Sequence, residues 1–308
     1  MTKKVLVTGA SGMLGRSVFK KLKAENIETI GISFSRKSQD LLSLDLTKPA
    51  DVEACILKYK PNFIIHCAAE KKPDVCQNDP VKAQKLNVQA TQHLSELCLK
   101  HDAKLIYIST DYVFDGTKPP YQIDDKPNPI NAYGLSKRAG ELAVLKIDPT
   151  AIILRVPVLF GPVESLEESA VTTIFSTVLG QMNVKNDHWA VRYPTFTPDI
   201  ANLLFKIISM PESQQLKGIY HFSGEEAFTK YEMAMAMAKL FNLSTRHLKP
   251  DTDAPTGAPR PHDCHLDNTV LKELIDLKQT NFRSAIKQVL TPFLIKKGRI
   301  KKFQFFWD

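Results

Sequence analysis

Tyr133 and Lys137 stand four residues apart in the stretch NAYGLSK, residues 131–137. Four residues is about one turn of a helix, so a helix here puts the phenol and the ammonium on one face. A free tyrosine loses its proton near about pH 10, and a neighbouring ammonium favours the phenolate and brings that value down. Such a pair can hand a proton to a carbonyl oxygen, or it can grip the hydroxyls of a ribose. Thr110 closes the apolar run LIYIST and offers a hydroxyl to orient the same carbonyl. Asn87 is a candidate to hold a water near Lys137; the alternative is a polar helix residue facing another segment.

These side chains need a scaffold, and the first half of the chain supplies its pattern. Short apolar runs (KVLVT, IETIGIS, NFIIHC, KLIYIS, AIILRV) alternate with helical stretches, the signature of βαβ units and a parallel sheet. Runs this apolar suit strands covered on both faces. The stretch from Asp74 to Lys100 reads as mainly helical with a break at Pro80, and another helix starts near Asn131. Between the first strand and its helix lie Gly9, Gly12 and Gly15. A first glycine allows a tight turn, a second lets backbone approach a pyrophosphate, and a third lets helix and strand pack closely. The helix N-terminus then offers free N–H groups to the phosphates.

The second strand runs into SFSRK. An acidic residue there would bind the ribose 2′-hydroxyl of NAD; the chain instead has Ser35, Arg36 and Lys37. A guanidinium fork suits a 2′-phosphate, so the expected cofactor is NADP. Asp45 and Leu46 follow the next strand segment, where a carboxylate can meet an adenine and a leucine can pack on it; ordinary core is the alternative for Leu46. After the fourth strand, Cys67, Ala68 and Ala69 are small enough for a cofactor to lie against the backbone, and Cys67 reads as a packing residue. The cofactor would carry a hydride, with Thr110, Tyr133 and Lys137 handling the proton.

After about Leu159 the alternation fades. LEESAVTTIFSTVLGQ and TKYEMAMAMAKLFN read as helices, the latter with Thr229 as N-cap. PDIANLLFKIISM reads as a helix opened by its proline, KGIYHFSG as a strand, and residues 284–294 as a final helix. The resulting expectation is an α/β fold: a Rossmann-type doubly wound parallel sheet with a small C-terminal α/β lobe. Its parts are a nucleotide-binding domain over 1–160, a lobe over 161–290 interleaved with the sheet edge, and a basic aromatic tail over 291–308.

The composition is that of an ordinary globular protein, 43% hydrophobic and 24% charged. No apolar run reaches the roughly 18 residues of a membrane span, and VLVTGASG follows Lys4 too soon for a secretory leader. The five cysteines show neither paired nor metal-type spacing, so they are expected to be reduced thiols in a cytoplasmic protein with no metal site. The net charge of +8 gathers at the end of the chain, in IKKGRIKKFQFFWD, and is mixed elsewhere. That pattern points away from nucleic acid and towards a protein partner for the aromatics Phe293, Phe303, Phe305, Phe306 and Trp307.

Together, the glycine turn, Thr110, Tyr133 and Lys137 resemble the extended short-chain dehydrogenase/reductase superfamily. STDYVFDGTKPPY followed by NAYGLSK resembles its dTDP-4-dehydrorhamnose reductase branch. HCAAEKKPDV, VESLEESAVT, DHWAVRYPT, FSGEEAFTKYEMAMAMA, APRPHDCHLD and TPFLIKK are similar to the regulatory β subunits of methionine adenosyltransferase, which keep that fold. This resemblance implies NADP binding and association with the catalytic α subunit of S-adenosylmethionine synthetase through the C-terminal segment. It carries the NADP site onto Ser11, Gly12, Met13 and Leu14; Phe34, Ser35 and Arg36; Asp45 and Leu46; and Cys67, Lys71, Tyr133, Lys137 and Leu159. The rival reading, an active sugar-nucleotide reductase, stays open because Thr110, Tyr133 and Lys137 are all present. Val156 and Pro157 stand against it, where the reductases carry small hydroxyl residues, as does the acidic VESLEES, expected across the substrate region.

Overall fold

The computed structural model describes residues 3–34, 36, 38–211, 214–276 and 278–296. Ser35 and the tail from residue 297, with four of its five aromatics, lie outside the described residues. The apolar runs become strands, and the segments between them become helices: β1 (Lys4–Thr8), α1 (Met13–Ala24), β2 (Glu28–Ser33), β3 (Leu41–Ser43), α2 (Pro49–Tyr59) and β4 (Phe63–His66). Next come α3 (Pro73–Asn78), α4 (Pro80–Gln84), a π-helical turn (Lys85–Gln89), α5 (Ala90–Lys100), β5 (Lys104–Thr110), α6 (Ala132–Ile147) and β6 (Ile152–Val156). The break expected at Pro80 is there: Asp79 caps α4 by accepting the Lys82 N–H at 3.0 Å.

One seven-stranded sheet runs β3-β2-β1-β4-β5-β6-β10, with β10 at Gly218–His221, and each pairing is parallel. Strand order reverses direction between β1 and β4. In doubly wound sheets, ligands bind outside the carboxyl ends of the strands at that point. Core residues fill both faces of the sheet. Val5, Val7, Ile65, Ile106 and Leu154 face α1 and a helix over 197–209; Leu6, Ile64, Leu105 and Ile153 face α2, α5 and α6.

The remaining elements are β7 (Leu159–Phe160), α7 (Thr172–Leu179), β8 (Val184–Asp187), β9 (Thr195–Phe196), α8 (Thr197–Ser209), α9 (Lys230–Leu240), β11 (Leu248–Asp251), α10 (Thr269–Leu274) and α11 (Phe282–Lys296); α8 and α10 pack on the sheet, and most of the others form the C-terminal lobe. A separate core joins Phe175, Met233, Met237, Ile286 and Leu290. Thr229 caps α9 as expected, accepting the Glu232 N–H at 3.2 Å while Glu232 Oε2 accepts the Thr229 N–H at 2.7 Å. The helix expected over residues 166–181 is shorter. A 3₁₀ turn holds Leu166–Glu168 and α7 starts only at Thr172. The reason is local: Thr172 Oγ1 donates to the Leu166 carbonyl at 2.7 Å, and Ser169 Oγ donates to Leu159 O at 2.8 Å. Hydroxyls that capture backbone in this way compete with the helix. Residues 291–296 continue α11, and Phe293 packs against the lobe's core.

A buried ion pair fastens α6 to the sheet. Glu141, fully buried, accepts from Arg155 Nε and Nη2 at 2.9 Å each, from Ser109 Oγ at 2.6 Å and from Arg138 Nη1 at 2.8 Å. Removing one partner of a buried pair strands the other charge and costs about 3–5 kcal/mol. Glu141→Leu should therefore lower the free energy of unfolding by about that much, measured by urea denaturation. Adding Arg155→Met should restore most of the loss. An unchanged midpoint in the single variant would show that the pair does not fasten the helix.

Candidate functional site

Gly9 follows β1 with φ at +64°, a conformation that L side chains rarely adopt. A Cβ on Gly15 would meet the Gly9 carbonyl oxygen at 2.2 Å, so α1 can lie this close to the turn only with glycine there. Gly12 is the N-cap of α1 and supplies no side-chain cap. The N–H groups of the first turn, at Met13 and Leu14, are thus left to an external acceptor, which suits a phosphate. Met13 and Leu14 turn their side chains into the core. Turn, helix end and small residues fit a dinucleotide pyrophosphate.

At the end of β2, Phe34 is 69% exposed. Arg36 Nη1 and Arg16 Nη1 both donate to the Ser11 carbonyl, at 3.2 and 3.1 Å. Arg16, in the first turn of α1, is a site residue that the glycine spacing does not single out. Asp45 Oδ1 accepts from the Thr47 N–H and hydroxyl at 2.9 and 2.8 Å. Burial pushes its carboxyl up, but these bonds and the nearby Lys48 and Lys85 hold it below the usual value. Leu46 lies in the core with Val52 and Ile56.

Beyond β4, Cys67 is half-buried, and burial pushes its thiol up to about 12, which suits packing and not nucleophilic attack. His66 bonds Thr8 Oγ1 at 2.7 Å and Thr91 Oγ1 at 3.0 Å; burial holds it neutral, down at about 3. Asn87 lies in the π-helical turn. Its Oδ1 accepts the Glu70 N–H at 2.8 Å, and its Nδ2 donates to Glu70 O at 3.0 Å and to Ser136 Oγ at 2.9 Å. The side chain clamps the loop after β4 to α6, which is the role of a polar residue facing another segment and not of a water carrier.

Asn131 caps α6: its Oδ1 accepts the Gly134 N–H at 2.8 Å, and its Nδ2 donates to Pro259 O at 2.8 Å. A Cβ on Gly134 would meet Tyr112 O at 2.1 Å, so glycine lets the helix settle on the end of β5. Tyr133 meets Tyr112 edge-on, ring centroids 6.0 Å apart. Lys137 is buried; its Nζ donates to Ile108 O at 2.7 Å and lies 4.0 Å from the centre of the Tyr107 ring. Leu159, in β7, is half-buried against the first core.

The electrostatics differ from the sequence expectation. Burial pushes the Tyr133 phenol up, and Asp111, Cys76 and Tyr112 add to that while a hydrogen bond with Thr110 opposes it. Burial also brings the Lys137 ammonium down to about 7, with Glu141 and Cys67 opposing. The lysine ammonium bonds the Ile108 carbonyl, and the shift of the tyrosine is upward, set first by burial. Asp111 is a further residue that the sequence reading passed over. Its buried carboxyl accepts the Thr110 hydroxyl at 3.0 Å and is pushed by burial up to about 7.

VESLEES also lies elsewhere than expected. It reaches the glycine turn, with Glu168 Oε2 2.6 Å from Arg16 Nη2 and Glu168 Oε1 paired with Arg36. Lys71 Nζ donates to the Glu168 carbonyl at 3.0 Å. The acidic segment therefore lies against the glycine turn and the cations beside it. Among the described residues, no three His, Cys, Asp or Glu side chains gather as a metal-binding set, the five cysteines are free, and no helix is long and apolar enough to cross a membrane.

A parallel Rossmann-type sheet, a glycine turn after β1 and a threonine, tyrosine and lysine at the end of β5 and on α6 define a reductase-like nucleotide fold. The chain belongs to the RmlD substrate binding domain family, which matches residues 3–295. It is similar to methionine adenosyltransferase 2 subunit beta of Xenopus tropicalis, 45% identical over 298 residues, 96% of this chain and 89% of that protein. A dTDP-4-dehydrorhamnose reductase of Aggregatibacter actinomycetemcomitans is 32% identical over 93% of this chain and 98% of its own length. Among solved structures, the dTDP-4-dehydrorhamnose reductase of Bacillus anthracis in complex with NADP superposes with a TM-score of 0.82 at 26% identity, covering 95% of this chain and 99% of that one.

The Lys137 value has a direct consequence. With side-chain-labelled lysine, one ammonium signal should titrate near about pH 7 and vanish in Lys137→Arg. Because the folded value lies below that of a free lysine, stability should rise as pH climbs from about 7 towards about 10.4. A set of lysines that all titrate above about pH 9 would contradict the buried placement.

Proposed function

We propose that the chain is a regulatory subunit that binds NADP and associates with the catalytic α subunit of S-adenosylmethionine synthetase in the cytoplasm, tuning S-adenosylmethionine synthesis in one-carbon metabolism. The observation that carries this reading is the 45% identity to methionine adenosyltransferase 2 subunit beta over 96% of the chain, against 32% to the reductase. NADP is favoured over NAD by Arg36 beyond the end of β2 and Arg16 in the first turn of α1, which both reach the Ser11 carbonyl, and by the absence of a carboxylate at the end of β2 itself. NADP complexed with the Bacillus anthracis reductase supports the same choice.

In this reading the chain's own groups bind and orient. The amides of Met13 and Leu14 receive the pyrophosphate, Gly12 gives it room, and Arg36 meets the 2′-phosphate. Phe34 offers a face to the adenine, Lys71 and Leu159 border the groove, and Tyr133 and Lys137 hold the nicotinamide ribose. When bound, the dinucleotide supplies a hydride carrier. Whether that hydride is used is the point on which the second reading turns. Thr110, Tyr133 and Lys137 suffice for a sugar-nucleotide reductase, and Asp111 at about 7 adds a group able to exchange protons near neutrality. A phenol raised by burial is a weaker acid than free tyrosine, which weighs towards holding cofactor over catalysis.

The partner contact is assigned to the C-terminal segment, whose residues from 297 onward lie outside the described ones. Truncation after Lys296 keeps the buried Leu294 in place and should leave a folded chain. That variant is expected to lose co-purification with the catalytic α subunit, measured by affinity capture, while the full chain retains it. Full retention by the truncated chain would place the contact elsewhere. In parallel, the full chain should show no NADPH oxidation with a dTDP-4-dehydro-6-deoxy sugar. Turnover that Tyr133→Phe abolishes would favour the reductase reading.

A further inference from the structure

One carboxylate gathers the cations around the glycine turn. Glu168 is 9% exposed and bridges Arg16 in the first turn of α1 and Arg36 beyond β2. Its Oε2 also accepts the Glu164 N–H at 3.1 Å, and its backbone carbonyl accepts Lys71 Nζ. Glu164 adds a second carboxylate 3.3 Å from Arg16 and 4.0 Å from Arg36. Arg16 Nη2 donates in addition to Pro162 O at 3.3 Å. Residues 162–168 thus form a strap from the lobe, tied to α1, to the end of β2 and to the loop after β4. Although burial pushes the Glu168 carboxyl up, Arg16 and Arg36 hold it below its usual value, so it is anionic at neutral pH.

The end of β2 is where a Rossmann-type sheet meets the 2′ position of a ribose. A carboxylate and a phosphate compete for a guanidinium because both accept its fork of N–H donors. We propose that Glu168 is an internal stand-in for the 2′-phosphate: a 2′-phosphorylated dinucleotide exchanges with it on Arg36 and Arg16 and releases the strap, whereas a dinucleotide with a free 2′-hydroxyl leaves the pair closed. Glu168 then sets how strongly the site prefers the phosphorylated cofactor and couples its arrival to the position of residues 162–168. This inference rests on the dinucleotide reading above and adds a residue, and a movement, to it.

The sequence alone hides this role, because Glu168 lies more than a hundred residues from both arginines and reads as part of an acidic loop. Guanidinium groups from two elements meet at the same carbonyl of Ser11, and Glu168 balances their charge. Glu168→Gln keeps the shape and can still accept the Glu164 N–H, so the fold should persist while the competing charge goes.

Calorimetric titration of the full chain with NADP, NAD, 2′,5′-ADP and 5′-AMP at one ionic strength tests the idea. Glu168→Gln should tighten NADP and 2′,5′-ADP about tenfold or more, and leave NAD and 5′-AMP within about twofold. Arg36→Ala should weaken NADP and remove the gain when combined with Glu168→Gln. Amide exchange at Glu164 should speed up with 2′,5′-ADP and stay unchanged with 5′-AMP. Wild-type binding of NADP with equal or weaker binding by Glu168→Gln, or an equal gain for NAD, would overturn this inference and leave the dinucleotide reading standing. Binding of neither dinucleotide by either protein would overturn both; binding seen only in Glu168→Gln would support the competition.

Discussion

The site depends on an ion pair that touches none of the groove. Glu141 sits one helical turn after Lys137, and its carboxylate is held in a two-point grip by Arg155 of β6 and bonded by Ser109 of β5, next to Thr110. That arrangement ties α6 to two adjacent strands at once. The tyrosine and lysine that α6 carries are thereby fixed against the end of β5, and Gly134 lets them approach. A buried carboxylate is expensive to desolvate. Here four donors satisfy it, and its charge also opposes the loss of the Lys137 proton.

The groove divides into two electrostatic halves. On the nucleotide side lie Arg16, Arg36 and Lys71, balanced by Glu168. On the far side lie buried Thr110 and Asp111 and half-buried Tyr112 and Tyr133, a set in which burial pushes the acids up while Arg192 opposes the shift at Asp111 and Tyr112. A half with free helix N–H groups and cations is suited to phosphates. A half with a raised phenol and a raised carboxyl is suited to holding neutral hydroxyl groups, and it turns over a carbonyl only if something lowers the phenol. This asymmetry favours holding a dinucleotide over turning over a carbonyl, in line with the proposed role.

Much of this was legible in the residues, for identifiable reasons. Near-continuous apolar runs such as VLVT and IYIS mark strands covered on both faces, and a glycine triplet after the first strand has few other uses. Arg36 was visible because the position after β2 has a known task in this topology. Glu141 and Glu168 were not visible, since their meaning comes from arginines distant in sequence. The helix expected from Leu166 was cut short by hydroxyls at Ser169 and Thr172 that bond back to the chain, which propensity alone does not reveal. The direction of the Tyr133 shift was misjudged because four-residue spacing shows that two groups share a helix face but not where the lysine aims. Asn87 was ambiguous in sequence for the same reason, and the π-helical turn turns its amide onto Glu70. Ser35 and the aromatics beyond residue 296 lie outside the described residues, so for them the sequence reading stands by itself.

The central claim is that the switch point between β1 and β4 holds NADP, with Tyr133 and Lys137 at its nicotinamide end. A crystal structure of the chain grown with NADP tests it most directly. The account predicts a dinucleotide along the strand ends, with its pyrophosphate on the Met13 and Leu14 amides, its 2′-phosphate on Arg36, and the nicotinamide ribose within hydrogen-bonding distance of Tyr133 and Lys137. An empty groove at saturating NADP, or a dinucleotide bound away from these residues, would contradict it.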